Sequence, residues 1–275
     1  MQVEVTANNR IILAAFVISV LSMTFFAISA AFANETDDGY ETGLVAYSQG
    51  NFAKAAENFR RAAEAGDAGA QHMLMRMYSE GKGVSISANL THQWTKNAAE
   101  QGVVAAQFAL AEQFHTGAGT EQNLKKAFFW YEKAANNGYH KAKEKLAAYY
   151  EHGTVVSQNQ DKARSLYLYA ASEYDVFAQK GDPESQNALA LMYESGKGVE
   201  LNIVLAMNWY RKAAFQNYAP SQFNLGRLLA EGEKVEQNIR EAAYWLEQAA
   251  NQGYPAAVEM LAELRETHGT TLAMR

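Results

Sequence analysis

Apolar and small residues recur along this chain with the spacing of a helix face, and the pattern returns every 36 residues. In its first full occurrence the positions are Ala70, Leu74, Met75 and Tyr78. Residues four, five and eight positions after the first lie on one side of a helix. The leucine recurs as Leu74, Leu110, Leu146, Leu189, Leu225 and Leu261. Each repeat is therefore predicted to begin with an amphipathic helix.

A glycine follows each of these stretches and is predicted to end the helix in a left-handed C-cap. It recurs as Gly81, Gly117, Gly153, Gly196 and Gly232. A second helical pattern comes next, for example "KAFFWYEKAANNG", in which Trp130 and Ala134 share one side. Its N-cap position recurs as Ser87, Asn123, Asn159, Asn202 and Asn238, all with side-chain oxygens that can accept from the first turn. The chain is predicted to be all-α, a superhelical solenoid of helix pairs.

The period changes once, from 36 to 43 residues, between Gly153 and Gly196. The seven additional residues lie near "SEYDVFA" at 172–178. Seven residues are about two helical turns, so the insertion lengthens a helix without rotating its apolar side away from the core. The sequence therefore predicts one longer helix at this point, not a domain break.

These periods divide the chain into segments. Residues 41–66 are predicted to be an N-terminal helical hairpin, 67–253 to be five repeats, 254–267 to be a capping helix and 268–275 to be a tail. The five repeats span 67–102, 103–138, 139–181, 182–217 and 218–253.

The N-terminus differs from the repeats because residues 11–33 contain no charge. Arg10 precedes this stretch, and Ala31-Phe32-Ala33 ends it with the small-x-small pattern of a signal-peptidase site. Residues 1–33 are therefore predicted to be a signal peptide cleaved after Ala33, with 34–40 as a short linker, which places the chain in the periplasm or outside the cell. The alternative is an uncleaved inner-membrane anchor with the repeats facing the periplasm, because 23 uncharged residues could span a bilayer. Only that alternative would bring membrane contact.

Composition excludes several classes of protein. The chain carries 24 Lys+Arg against 30 Asp+Glu, and a net charge of -6 argues against nucleic-acid binding, which needs a basic face. No cysteine is present, so disulfides, zinc–thiolate sites and a cysteine nucleophile are excluded. No two histidines stand four apart, and no G-x-S-x-G motif occurs. We expect no catalytic residues, no cofactor and no metal, and the chain is not predicted to be an enzyme.

The segment "SGKGV" around Lys197 resembles a phosphate-binding loop at first sight. Such a loop needs GxxxxGK[ST] between a strand and a helix. Here no strand precedes the glycine and no Ser or Thr follows the lysine. Gly196 recurs in every repeat, whereas Lys197 does not. The segment is therefore predicted to be a helix–helix turn.

The combined pattern resembles the Sel-one-like repeat (SLR) family, a relative of the tetratricopeptide repeat. The residues that carry the resemblance are "QNALALMYESGKGVELNIVLAMNWYRKAA" at 186–214 and "AQFALAEQFHTGAGTEQNLKKAFFWYEKAANNG" at 106–138. The resemblance implies an exported scaffold or adaptor that binds a protein or peptide partner, in envelope regulation, assembly or host interaction. The alternative from another class is a cell-wall-acting hydrolase.

A partner is predicted to bind the concave side of the solenoid, on the first helix of each repeat, opposite the packed arc. The candidate partner-binding residues are His72, Arg76, Phe108, Glu112, Glu144, Glu151, Asn187, Glu194, Phe223 and Arg227. Phe108 and Phe223 stand out because packing does not require phenylalanine at an open position. The glutamates would make the middle of the groove negative and favour a partner with basic and apolar residues. The alternative is that both phenylalanines pack against the neighbouring repeat.

Overall fold

The computed structural model describes residues 39–273, with side chains described as far as residue 269. The predicted signal peptide and most of the predicted linker lie outside these residues. Helix α1 comprises residues 39–48 of the described chain. The helices that follow are α2 (Phe52–Glu64), α3 (Ala68–Glu80), α4 (Ala88–Glu100), α5 (Val104–Thr116), α6 (Leu124–Asn136), α7 (His140–His152), α8 (Gln160–Gln179), α9 (Pro183–Ser195), α10 (Ile203–Phe215), α11 (Ala219–Glu231), α12 (Ile239–Asn251) and α13 (Pro255–Ala273).

The described residues contain no strand, so the predicted all-α class is confirmed. A search of the same residues finds no helix that is both long and apolar enough to cross a membrane.

The helix ends form where the sequence predicts them. The side chains of the predicted N-caps accept from the backbone N–H three residues later, as at Asn202, whose Oδ1 lies 3.0 Å from the nitrogen of Leu205. The same bond occurs at Ser87, Asn123, Asn159 and Asn238. The five predicted C-cap glycines all have positive φ, for example 72° at Gly196. These local bonds satisfy donors and carbonyls that a helix end leaves free.

The seven-residue insertion lengthens α8 to 20 residues, whereas the neighbouring helices α7, α9 and α10 have 13 each. Tyr167 and Tyr174, seven residues apart, lie on the same face of α8. Their hydroxyls donate to Glu151 and Glu144 of α7, at 2.8 and 2.6 Å. Both added turns therefore remain packed on α7, and the predicted long helix is confirmed.

The described chain divides into two compact units between Ala134 and Ala135, within α6 rather than at the insertion. In the N-terminal unit the core is built on fully buried Phe59, Leu74 and Met77. Met77 takes the buried place that the sequence assigned to Met75, which is only partly buried. In the C-terminal unit two clusters form the core, and the one towards the C-terminus contains the fully buried Tyr210, Leu225 and Leu246.

Glutamines connect consecutive helix pairs inside each unit. In the N-terminal unit Gln71 donates to the carbonyl of Ala63 at 3.1 Å and accepts from Gln101 at 2.8 Å. In the C-terminal unit Gln186 makes the same two bonds, to Ala178 and from Gln216, at 3.0 and 2.8 Å. A buried amide is costly without partners, so this recurring pair of bonds stabilises the stacking of neighbouring repeats.

Candidate partner-binding site

The turn around Lys197 joins two helices, as the sequence predicts, because α9 precedes it and α10 follows. The Lys197 ammonium group lies 2.7 Å from Glu151 Oε2 and 3.4 Å from the Tyr167 hydroxyl. The positive charge of Lys197 is therefore paired with a carboxylate of the same unit.

In the N-terminal unit, α3 carries the candidate residues His72 and Arg76. Arg76 is exposed and pairs with Glu80 one turn further along, at 3.5 Å. His72 is half-buried, and its Nδ1 is buried without a hydrogen-bond partner among the described residues. Burial lowers the pKa of His72, and the nearby charge of Arg76 lowers it further. Burial and this charge therefore favour the neutral imidazole, and Arg76 and Glu80 carry the exposed charges of α3.

Phe108 and Glu112, on α5, both contact Tyr131 of α6. The ring centroids of Phe108 and Tyr131 are 5.7 Å apart. The Tyr131 hydroxyl donates a short hydrogen bond to the Glu112 carboxylate. Phe108 remains half-exposed, so part of its ring is open to a partner while the rest packs inside its own unit.

In the C-terminal unit, Glu194 is the most strongly bound of the candidate residues. Its side chain is only 8% exposed, and Arg227 Nη2 and Lys234 Nζ lie 2.8 and 2.9 Å from its Oε1. The Tyr210 hydroxyl donates to Oε2 at 2.8 Å. Burial alone would raise the pKa of Glu194, but the bonds from Arg227, Lys234 and Tyr210 outweigh it and the pKa is lowered. This carboxylate fastens α10, α11 and the following turn to α9.

Glu151 has the same role one repeat earlier, where it accepts from Lys197 and Tyr167. Burial opposes ionisation of Glu151, yet these two bonds lower its pKa. Glu144 accepts from Tyr174. The expectation that Glu151 and Glu194 offer free negative charge to a partner is therefore wrong, because cations of the same fold already neutralise them.

Asn187 was expected on an open surface, and the structure buries it instead. Its Oδ1 accepts from Ser221 Oγ at 2.9 Å and from Asn224 Nδ2 at 3.1 Å. Phe223 lies half-buried against Tyr254, with ring centroids 5.3 Å apart. For Phe223 the alternative of packing against the neighbouring repeat therefore holds in part.

One further exposed residue lies on this face and was not among the candidate partner-binding residues. Leu191 lies on α9 between Asn187 and Glu194, and it is 43% exposed. Because Asn187 and Glu194 both bond to α11, Leu191 stands between two polar clusters that join the helices. The sequence did contain a signal for Leu191. The next repeat has Arg227 at the same position, so packing does not require an apolar side chain there.

Neither metal binding nor catalysis finds support in this arrangement. In the described part of the chain, no group of three or more His, Asp or Glu side chains could hold a metal ion. The polar clusters consist of carboxylates matched to Tyr, Arg and Lys donors, which is the arrangement of structural ties.

A family model described as Sel1 repeat matches this chain over six segments. They are residues 37–67, 68–103, 104–139, 140–175, 183–218 and 219–254. The chain therefore belongs to the Sel1 repeat family, as the resemblance implied, and has its all-α superhelical repeat fold. Proteins of this family are generally non-catalytic scaffolds that mediate protein–protein interaction. The first matched segment, 37–67, includes the whole of the predicted N-terminal hairpin.

The solved structures similar to this chain include two repeat proteins of bacteria. A Sel1 repeat protein from Oxalobacter formigenes is 26% identical, with a TM-score of 0.62, over 86% of this chain and 91% of that one. A protective antigen present in uropathogenic Escherichia coli strains, displaying an SLR fold, is also 26% identical. Its TM-score is 0.53, over 84% of this chain and 57% of that one. No curated protein matches the chain.

Proposed function

We propose that this protein is an exported scaffold that binds a protein or peptide partner on the first helices of its repeats, in envelope regulation, assembly or host interaction. The observation that supports this proposal best is Leu191, an exposed leucine between polar clusters whose charges are internally matched. An exposed apolar side chain whose charged neighbours are already paired can bind an apolar side chain of a partner, because such contacts exclude water. Phe108 and Phe223 offer further half-exposed apolar surface, each inside its own unit.

The partner segment is therefore expected to contribute mainly apolar side chains at the C-terminal unit. Basic residues in the partner, which the sequence suggested, would find Arg227 already bound to Glu194 and Lys197 already bound to Glu151. Glu112 and Glu144 each accept from a tyrosine hydroxyl of the neighbouring helix, so these carboxylates also take part in packing within the fold. No observation in the described residues favours a cell-wall hydrolase.

The test begins with crosslinking of the chain to its partner in the cell envelope, followed by purification of that partner. The affinity of the purified partner is then measured for Leu191→Asn and for Leu168→Asn, which alters an exposed leucine on α8. We expect Leu191→Asn to weaken binding about tenfold or more and Leu168→Asn to leave it unchanged. Unchanged binding by both Leu191→Asn and Phe108→Ser, with circular dichroism showing folded protein, would move the site off this face.

Export is proposed from the uncharged stretch 11–33 and the Ala31-Phe32-Ala33 site. Mass analysis of the mature protein should find Asn34 as its first residue. An intact N-terminus in the membrane fraction would establish the anchored alternative, and recovery of the whole chain from the cytosol would contradict both.

A further inference from the structure

A cleft of about 440 Å³ lies between α10 and the turn that precedes α12, inside the C-terminal unit. Val204, Asn208 and Arg211 line it from α10. Asn208 and Arg211 follow Val204 by four and seven residues, so all three lie on one face of the helix. Val235 and Glu236 line it from the turn. The volume is within the range of pockets that bind small ligands or side chains.

The cleft lies where the turn departs from the repeat pattern. In three of the other four repeats the residue two positions after the C-cap glycine is also glycine, as at Gly119 and Gly198, and in the remaining one it is Val155. A Cβ at Gly198 would lie 2.4 Å from the Tyr167 carbonyl oxygen, and one at Gly119 would lie 2.3 Å from that of Ala88. Those turns therefore rest directly on the backbone of the second helix of the preceding repeat, α8 or α4. The equivalent residue before α12 is Lys234, whose Cβ rules out so close an approach to α10.

Acidic side chains outnumber basic ones around the cleft. Lys234 lies 2.9 Å from the carboxylate of Glu194, so its positive charge is paired although the side chain is partly exposed. Arg211 is paired with Glu241 at 3.3 Å. Glu200, Glu233 and Glu236 are exposed on the two turns that border α10, against one exposed arginine, Arg240, at the start of α12, so acidic side chains predominate.

Aliphatic side chains are exposed beside this rim. Leu201, Val204 and Leu205 are 59%, 71% and 38% exposed at the beginning of α10. The next repeat has Gln237, Arg240 and Glu241 at the same positions, so the helix-pair fold does not require apolar residues there. Exposed apolar groups that cluster within a polar surround are typical of interaction sites.

We propose that Leu201, Val204 and Leu205, together with the adjoining cleft, form a second interaction surface, the α10 edge. It binds a protein segment in which an aliphatic side chain is flanked by lysine or arginine. The aliphatic group enters the cleft beside Val204, and the flanking cations approach Glu200, Glu233 and Glu236. The α10 edge lies on a second helix and its turns, apart from the first-helix face, so either site can fail in experiment without the other.

The test uses a labelled synthetic peptide in which leucines are flanked by lysines, titrated against the full chain by fluorescence anisotropy. Two matched peptides replace either the lysines by glutamate or the leucines by serine. We expect only the first peptide to bind, and Val204→Asn to weaken it about tenfold or more. Glu236→Lys should also weaken it, whereas Val258→Asn, which alters an exposed valine on α13, should not.

Because Val204 is highly exposed, its replacement should leave the fold intact, which circular dichroism and thermal unfolding check directly. The proposal is overturned if the serine or glutamate peptide binds equally well, if Val204→Asn binds as tightly as the parent chain, or if no peptide binds up to about 1 mM. Sedimentation supplies a further outcome. A dimer that Val204→Asn abolishes would show that the edge binds a second copy of the chain, which would also overturn the proposal of a basic partner.

Discussion

In the C-terminal unit the last turn of a first helix carries a glutamate at Glu151 and again at Glu194. The same repeat position in the N-terminal unit carries Ser79 and His115. Each glutamate holds a lysine of a later turn, Lys197 or Lys234. In the N-terminal unit the turn lysine, Lys82, pairs instead with Glu80 two residues before it, at 2.6 Å, and both side chains are substantially exposed.

The comparison shows that the apolar stack and the polar ties are specified separately. Both units bury the same repeat leucine and both connect their helix pairs through glutamine. Among the ion pairs of the described residues, Lys197–Glu151, Arg227–Glu194 and Lys234–Glu194 are partly buried pairs between repeats of the C-terminal unit. A change in the shared core should therefore affect the units alike, whereas a change at the glutamate position should affect only one of them.

The largest expected loss of stability is the same in the two units. Leu74→Ala and Leu225→Ala each remove a fully buried leucine from the same repeat position, and each should lower the free energy of unfolding by about 2–5 kcal/mol. Urea unfolding followed by circular dichroism measures both. A cost confined to one variant would contradict the view that the two cores are built alike.

The next largest loss of stability should appear in the C-terminal unit alone. Glu194→Gln leaves Arg227 and Lys234 without their carboxylate and should cost about 1–3 kcal/mol. Ser79→Ala, at the same position of the N-terminal unit and exposed, should change stability by less than about 0.5 kcal/mol. Equal stability of the two variants would show that the charged ties contribute nothing net.

Acidification should lower stability through one histidine in each unit. Burial lowers the pKa of His140, as does the charge of Lys141, and burial also lowers that of His72. Below about pH 6.5 the unfolded chain binds a proton at each position more readily than the folded chain does. The free energy of unfolding should therefore fall as pH drops from about 7.5 to 5.5.

Phenylalanine at either position removes that titration and tests each unit separately. His140→Phe suits its site, because the rings of Tyr174 and Phe177 lie 5.0 and 5.2 Å from the imidazole. Its stability curve should be flatter than that of the parent chain over this pH interval, and His72→Phe should flatten the curve as well. A slope unchanged in both variants would assign the acid sensitivity to other groups.

The smallest expected loss of stability concerns two arginines that occupy the same position in different repeats. Arg76 is exposed and pairs only with Glu80 along its own helix, so Arg76→Ala should cost less than about 0.5 kcal/mol. Arg227→Ala should cost more, since Arg227 also bonds the buried Glu194. Thermal unfolding at low and high salt ranks the two, and an equal or larger loss in Arg76→Ala would reverse the comparison of the units.

Much of the fold could be predicted because its signals are local. The cap at Asn202 is a bond to a backbone group three residues away, and the glycine at Gly196 adopts its left-handed conformation within one turn. The long helix followed from counting residues between Gly153 and Gly196. The place of Met77 in the core was missed because the apolar positions of α3 extend beyond the four that recur most clearly.

The sequence by itself determined the family, the helix pairs, their caps and the two added turns of α8, since each depends on periodicity or on neighbours within a turn. Only the tertiary structure decided which candidate side chains remain open. Lys197 and Glu151 are 46 residues apart, and Lys234 and Glu194 are 40 apart. Their pairing depends on how one repeat stacks on the next, which brings an acid and a distant cation within hydrogen-bond distance. For the same reason Asn187 became a buried link while Leu191, one turn further along, stayed exposed.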